Sequence, residues 1–74
     1  MKQMELTAII RKGEKQFVAL CPELDVVSQG DTIELARDNL REAVELFLEC
    51  ASQDEVQDRL GGEVFFTQFE VTIG

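Results

Sequence analysis

At 74 residues, 45% of them apolar and 30% charged, the chain reads as one domain with a small core, outside the composition range of disordered chains. Fifteen Asp and Glu against seven Lys and Arg leave a formal charge of −8, which argues against a phosphate-binding groove, because nucleic-acid affinity rests on Lys and Arg neutralising phosphates. The basic residues are scattered: Lys2, then Arg11, Lys12 and Lys15 around one turn, then Arg37, Arg41 and Arg59 among carboxylates.

Such a field suits a positively charged protein partner, whose encounter it speeds and whose competitors it rejects. No apolar run is long enough to cross a bilayer. The opening MKQMELTAII has neither the basic region nor the continuous apolar stretch of a secretory signal, so a cytoplasmic location is expected. In a reducing compartment Cys21 and Cys50 are expected to be free thiols serving as small buried hydrophobes. With no His and no Cys-x-x-Cys spacing, a zinc site lacks ligands, and neither metal nor cofactor is expected.

From Met4 to Arg11 the apolar Met4, Leu6, Ala8 and Ile10 alternate with Glu5, Thr7, Ile9 and Arg11, the period of a strand with one buried face. Lys12-Gly13-Glu14-Lys15 reads as a hairpin turn. A second strand follows over Gln16 to Cys21 and should stop at Pro22, which has no amide hydrogen to give to a ladder. Val26 to Gln29 can form a short third strand, with Gly30 as the break after it.

Asp31-Thr32-Ile33-Glu34 has the spacing of a capping box, with Asp31 or Thr32 as the acceptor, and predicts a helix from about Thr32. Ile33, Ala36, Leu40, Ala43 or Val44, Phe47 and Cys50 or Ala51 form its apolar stripe, and Glu34, Arg37, Asp38, Arg41, Glu42, Glu45 and Glu49 occupy the other side. Leu35, Leu46 and Leu48 fall off that stripe and suggest a second, smaller apolar surface. Ser52-Gln53-Asp54-Glu55 repeats the capping-box spacing and predicts a short helix from Gln53 to Leu60, stopped by Gly61-Gly62. Glu63 to Ile73 is β-prone, with Phe65, Thr67, Phe69, Val71 and Ile73 on one face and Val64, Phe66, Gln68, Glu70 and Thr72 on the other.

The predicted fold over residues 1–74 is therefore α+β, in the order β-β-β-α-(short α)-β. Hairpins make the first three strands antiparallel neighbours, and a helical crossover returns the fourth parallel to the first, giving a mixed four-stranded sheet of order 3-2-1-4 with one long helix on one face.

The chain resembles the HicB-like antitoxins of type II toxin-antitoxin pairs. The resemblance rests on the Cys21-Pro22-Glu23-Leu24 break, the run Ser28-Gln29-Gly30-Asp31-Thr32, the Asn39-Leu40-x-Glu42-Ala43 helix core and the terminal strand through Glu70-Val71. It implies a partial ribonuclease H-like fold and a non-catalytic module that binds and masks a small basic mRNA interferase of HicA type. The sequence ends at Gly74 without the DNA-binding segment usual in the family, so a short solitary form is expected, without direct nucleic-acid binding.

The acidic loop Glu23-Leu24-Asp25, taken with Asp31 and Glu34, is the densest candidate for partner contact. The bland reading is strong, since Asp31 and Glu34 can be capping residues, Glu23 and Asp25 turn residues, and Leu24 a core plug. Two alternatives stand beside the antitoxin. One is a homo-oligomeric HicB-like protein, homodimer or homotetramer, with no surviving toxin partner. The other is a metal-dependent ribonuclease H-like remnant using Glu5 and Glu70, which would be neighbours if the first and fourth strands paired. No nucleophile has an imidazole to activate it.

Overall fold

A computed structural model describes residues 4–74; Lys2, counted above among the scattered basic residues, lies outside them. The chain is α+β: strands β1 (Ile9–Lys12), β2 (Phe17–Cys21) and β3 (Val26–Gly30), then helices α1 (Ile33–Cys50) and α2 (Gln53–Gly61). The strands form an antiparallel sheet of order β1-β2-β3, held in register by Ile9 opposite Leu20, Lys12 opposite Phe17, and Cys21 opposite Val26. The expected hairpin is present, closed by the Gly13 amide donating to the Gln16 carbonyl at 2.7 Å.

β1 is shorter than the alternation suggests, and Pro22 supplies the reason. Continuing the register beyond Ile9–Leu20 would set Thr7 opposite Pro22, which has no N–H to contribute, so the ladder ends and residues 4–8 run on beyond β2. The Thr7 amide donates instead to the Glu23 carboxylate.

α1 packs chiefly on β3 and β2. Between them lies the core of Ala19, Cys21, Leu24, Ala36, Leu40 and Val44, flanked by partly buried Leu6, Ile10, Phe17, Val26, Phe47 and Leu60. Thr32 caps α1, its Oγ1 accepting from the Leu35 amide at 3.0 Å, and Ser52 caps α2, accepting from Glu55 at 3.1 Å. Of the two candidate caps for α1, Thr32 therefore has the role; Asp31 accepts from the Gln16 side chain at 3.0 Å. Gly30 lets β3 pass directly under the first turn of α1: a Cβ there would lie 2.5 Å from the Ala36 nitrogen. Asn39 ties the same two elements together, donating to the Gln29 carbonyl at 2.8 Å.

Several expectations are corrected. Ile33, assigned to the apolar stripe, is half exposed, and Cys50 is exposed, because both ends of α1 project beyond the short sheet. Leu35, Leu46 and Leu48 are exposed but do not make one surface. At about 100° per residue, Leu35 and Leu46 lie on one flank of α1 and Leu48 on the other.

The largest difference concerns the fourth strand. Residues 62–74 are fully described, carry no strand and leave Phe65, Phe69, Val71 and Ile73 at least 70% exposed. The sheet is accordingly three-stranded rather than four-stranded of order 3-2-1-4. Alternation records a tendency to pair, whereas a strand exists only where a ladder partner is met, and in this chain the segment leaves α2 and meets none. The radius of gyration is 14.5 Å, against about 11 Å for a compact chain of this length.

Candidate functional site

The five residues singled out as a partner-contact patch do not converge. Glu23, Leu24 and Asp25 form the β2–β3 turn, whereas Asp31 and Glu34 lie past the far end of β3. Five residues of strand, at about 3.4 Å each, separate the two groups by roughly 15 Å. Leu24 is 0% exposed and plugs the core between sheet and helices, so it reaches no partner. Asp25 holds the tight turn with a left-handed φ of 56°, a conformation Asp tolerates better than most residues.

Glu23 is committed to the fold. One carboxylate oxygen lies 3.1 Å and the other 3.0 Å from the Thr7 amide; the Thr7 hydroxyl donates at 2.6 Å, and the Cys21 thiol at 3.6 Å. Partial desolvation acts to raise the Glu23 pKa, but the hydrogen bonds from the Thr7 side chain, from its own backbone and from the Thr7 backbone together outweigh it and hold the carboxyl below the usual range. Burial pushes the Cys21 thiol up, and the nearby Glu23 charge adds to that. This clamp fastens the start of the chain to the β2–β3 turn.

The acidic surface lies elsewhere. Glu34, Asp38, Glu42, Glu45 and Glu49 are all exposed, and at about 100° per residue they fall within roughly 80° of arc on α1, opposite buried Ala36, Leu40 and Val44. The result is one carboxylate stripe about 22 Å long, at 1.5 Å rise per residue, running the length of the helix. Asp38 is engaged by Arg37 at 3.4 Å; this exposed pair contributes little. Of the five residues predicted from the acidic loop and cap, only Glu34 belongs to the stripe. Asp38, Glu42, Glu45 and Glu49 are among the residues expected on the polar side of the helix, and their common azimuth is the signal that singles them out.

Arg59 had no assigned role and has a specific one. Its guanidinium donates to the Leu24 carbonyl, lies 4.6 Å from the centroid of the Phe47 ring and sits 3.6 Å from Glu55. It thereby fastens α2 to the β2–β3 turn and to α1 at once.

Glu5 and Glu70 are not brought together. Glu5 lines a groove beside residues 4–8, and Glu70 belongs to the unpaired segment. Among the described residues no group of three or more His, Cys, Asp or Glu could hold a metal ion, and no helix is long and apolar enough to cross a membrane.

What fold and site define is an α+β chain that presents an acidic helix face beside a three-stranded sheet. No protein-family model, no curated protein and no solved structure matches the chain. The HicB-like reading rests on the residues quoted for it above.

Proposed function

We propose that this protein is a non-catalytic binding module whose acidic α1 face holds a small basic protein, and that it acts as a HicB-like antitoxin masking a HicA-type mRNA interferase in the cytoplasm. The observation that carries the reading is the unbroken stripe Glu34, Asp38, Glu42, Glu45 and Glu49 on a chain of net charge −8. A basic surface laid along that stripe meets carboxylates at every turn of the helix, an arrangement that accelerates encounter and disfavours acidic competitors. The finer fold belongs to the same proposal: a partial ribonuclease H-like sheet of order 3-2-1-4, its fourth position beside β1 and filled by the β-prone segment Glu63 to Ile73.

The test is retrieval of the tagged protein from its native host after washing at moderate salt, alongside a variant carrying Asp38→Asn, Glu42→Gln, Glu45→Gln and Glu49→Gln. A stoichiometric small basic protein, with ribonuclease activity that disappears on binding the parent and persists with the variant, is the expected result. Equal retention of that protein by both forms would refute the acidic-face assignment. Recovery of the chain alone would leave the second reading, a homo-oligomeric HicB-like protein without a toxin, which the exposed phenylalanines favour.

A further inference from the structure

We infer that residues 64–73 are an exchange arm: in a homodimer, the arm of each copy adds as a strand to the residue 4–10 edge of the other and fills the groove beside it. The inference is independent of the antitoxin reading, since it concerns what completes the sheet. Three observations carry it.

The first is the arm itself. Phe65, Phe69, Val71 and Ile73 are 80%, 84%, 70% and 95% exposed, and with Thr67 they occupy alternate positions, one face of a strand. Gly61 and Gly62 lead into it with nothing closer than 3.8 Å to a Cβ built at either position, so the connection is sterically unencumbered. A row of large apolar side chains on an unpaired extended segment is a strong drive toward strand addition.

The second is the receiving surface. Residues 4–8 continue β1 beyond the end of β2 and carry the same alternation, Met4, Leu6 and Ala8 leading to Ile10. With Leu40, Val44 and Leu48 of α1 they line a groove of about 670 Å³ that is more apolar than polar. An incoming strand beside β1 would lay alternate side chains into this groove, beneath α1, while its backbone pairs with the free edge of residues 4–10 that faces away from β2. The groove lining carries Arg37 and Arg41 together with Glu5 and Glu45, so its charges balance and its apolar side chains dominate recognition. The arm carries a single charge, Glu70, so little charge has to be desolvated when it docks.

The third is extent. Phe65 and Phe69, at about 150–250 Å² each and at 80% and 84% exposure, place roughly 650 Å² on two reciprocal arms before Val71 and Ile73 are counted. Adding the receiving grooves brings the contact into the range of a stable interface, about 1,200–2,000 Å² in total. Reciprocal exchange is isologous and closes at two copies, which leaves neither arm exposed.

The experiment uses the full chain. Its mass in solution is measured by light scattering, with isotope-filtered nuclear Overhauser spectra recorded on an equimolar, co-refolded mixture of labelled and unlabelled protein. The expected result is a dimer with intermolecular contacts from Phe65 and Phe69 rings to Leu6, Leu40 and Val44 methyls. A Phe65→Glu/Phe69→Glu variant, altered only at exposed positions, should retain its helical circular dichroism and become monomeric. A monomer whose arm contacts the same methyls within one chain would overturn the proposal in favour of self-docking. A dimer that survives the double substitution would overturn it in favour of another interface, and a monomer without these contacts would overturn it outright.

Discussion

Replacing Glu23 by Ala tests whether the carboxylate clamp, rather than partner contact, is the reason for an acid in the β2–β3 turn. The side chain receives the Thr7 amide and hydroxyl and the Cys21 thiol. Hydrogen bonds to a charged group contribute about 1.5–3 kcal/mol where buried; here the site is only part-buried and water can replace part of the loss. A destabilisation of about 1–2 kcal/mol is expected, which for a domain of this size lowers Tm by roughly 4–16 °C. Glu23→Gln keeps one acceptor oxygen and should cost about 1 kcal/mol. The folded-state pKa of Glu23 is depressed, so its contribution is full above the unfolded-state pKa and is lost as pH falls through the folded value. The gap between wild type and variant should therefore be complete at neutral pH and shrink in acid. Urea unfolding followed at 222 nm, at one fixed protein concentration because association adds apparent stability, measures it at both pH values. A gap of equal size at pH 7 and in acid, or Glu23→Ala indistinguishable from wild type, would refute the clamp.

Gly30→Ala should destabilise by about 1–3 kcal/mol, because its methyl group would lie 2.5 Å from the Ala36 nitrogen and 2.7 Å from the Leu35 carbonyl carbon; an unchanged denaturation midpoint would contradict that close approach. Arg59→Ala should loosen α2, seen as faster amide exchange across residues 53–61 with α1 still protected, and Arg59→Lys should restore little of it, since Lys lacks the planar fork that serves Leu24, Phe47 and Glu55 together. Titration with a thiol reagent should modify Cys50 at once. Cys21 is 1% exposed and its thiol pKa is raised by burial, so it should react only after denaturant is added; rapid modification of both in the native protein would contradict the burial.

The elements that local chemistry decides were legible in the chain. Pro22 stopped β2, capping-box spacings located the starts of both helices while leaving Asp31 or Thr32 as the first cap, and period-three-and-four spacing named Ala36 and Leu40, with Ala43 or Val44, as the buried side of α1. Where the reading failed, the deciding factor was distant in sequence. The ends of the apolar stripe at Ile33 and Cys50 depend on how far the sheet extends beneath α1, which no local pattern records. The acid at Glu23 looked like a solvated turn residue because its partner, Thr7, lies 16 positions away. The same limitation grouped Glu23 and Asp25 with Asp31 and Glu34: they are close in sequence, but β3 runs straight between them.

The fourth strand combines both kinds of information. Alternation from Phe65 to Ile73 marks a segment with one apolar face, which the structure leaves exposed, and says nothing about whose sheet would receive it. The core it would complete is small: of the six buried hydrophobic residues among those described two are alanines, and a chain of this length retains little stability from such a core alone. Adding a strand beside residues 4–10 would cover Leu6 and extend the apolar layer under Leu40 and Val44, the side of the core that is now open. That groove opens along the Arg37 and Arg41 flank of α1, whereas the carboxylate stripe is centred on the side opposite the core. Completion of the sheet and engagement of a basic protein therefore use neighbouring sides of one helix that meet at Glu45. An exchanged dimer would present two acidic faces, with Glu34, Asp38, Glu42 and Glu49 of each outside the groove lining.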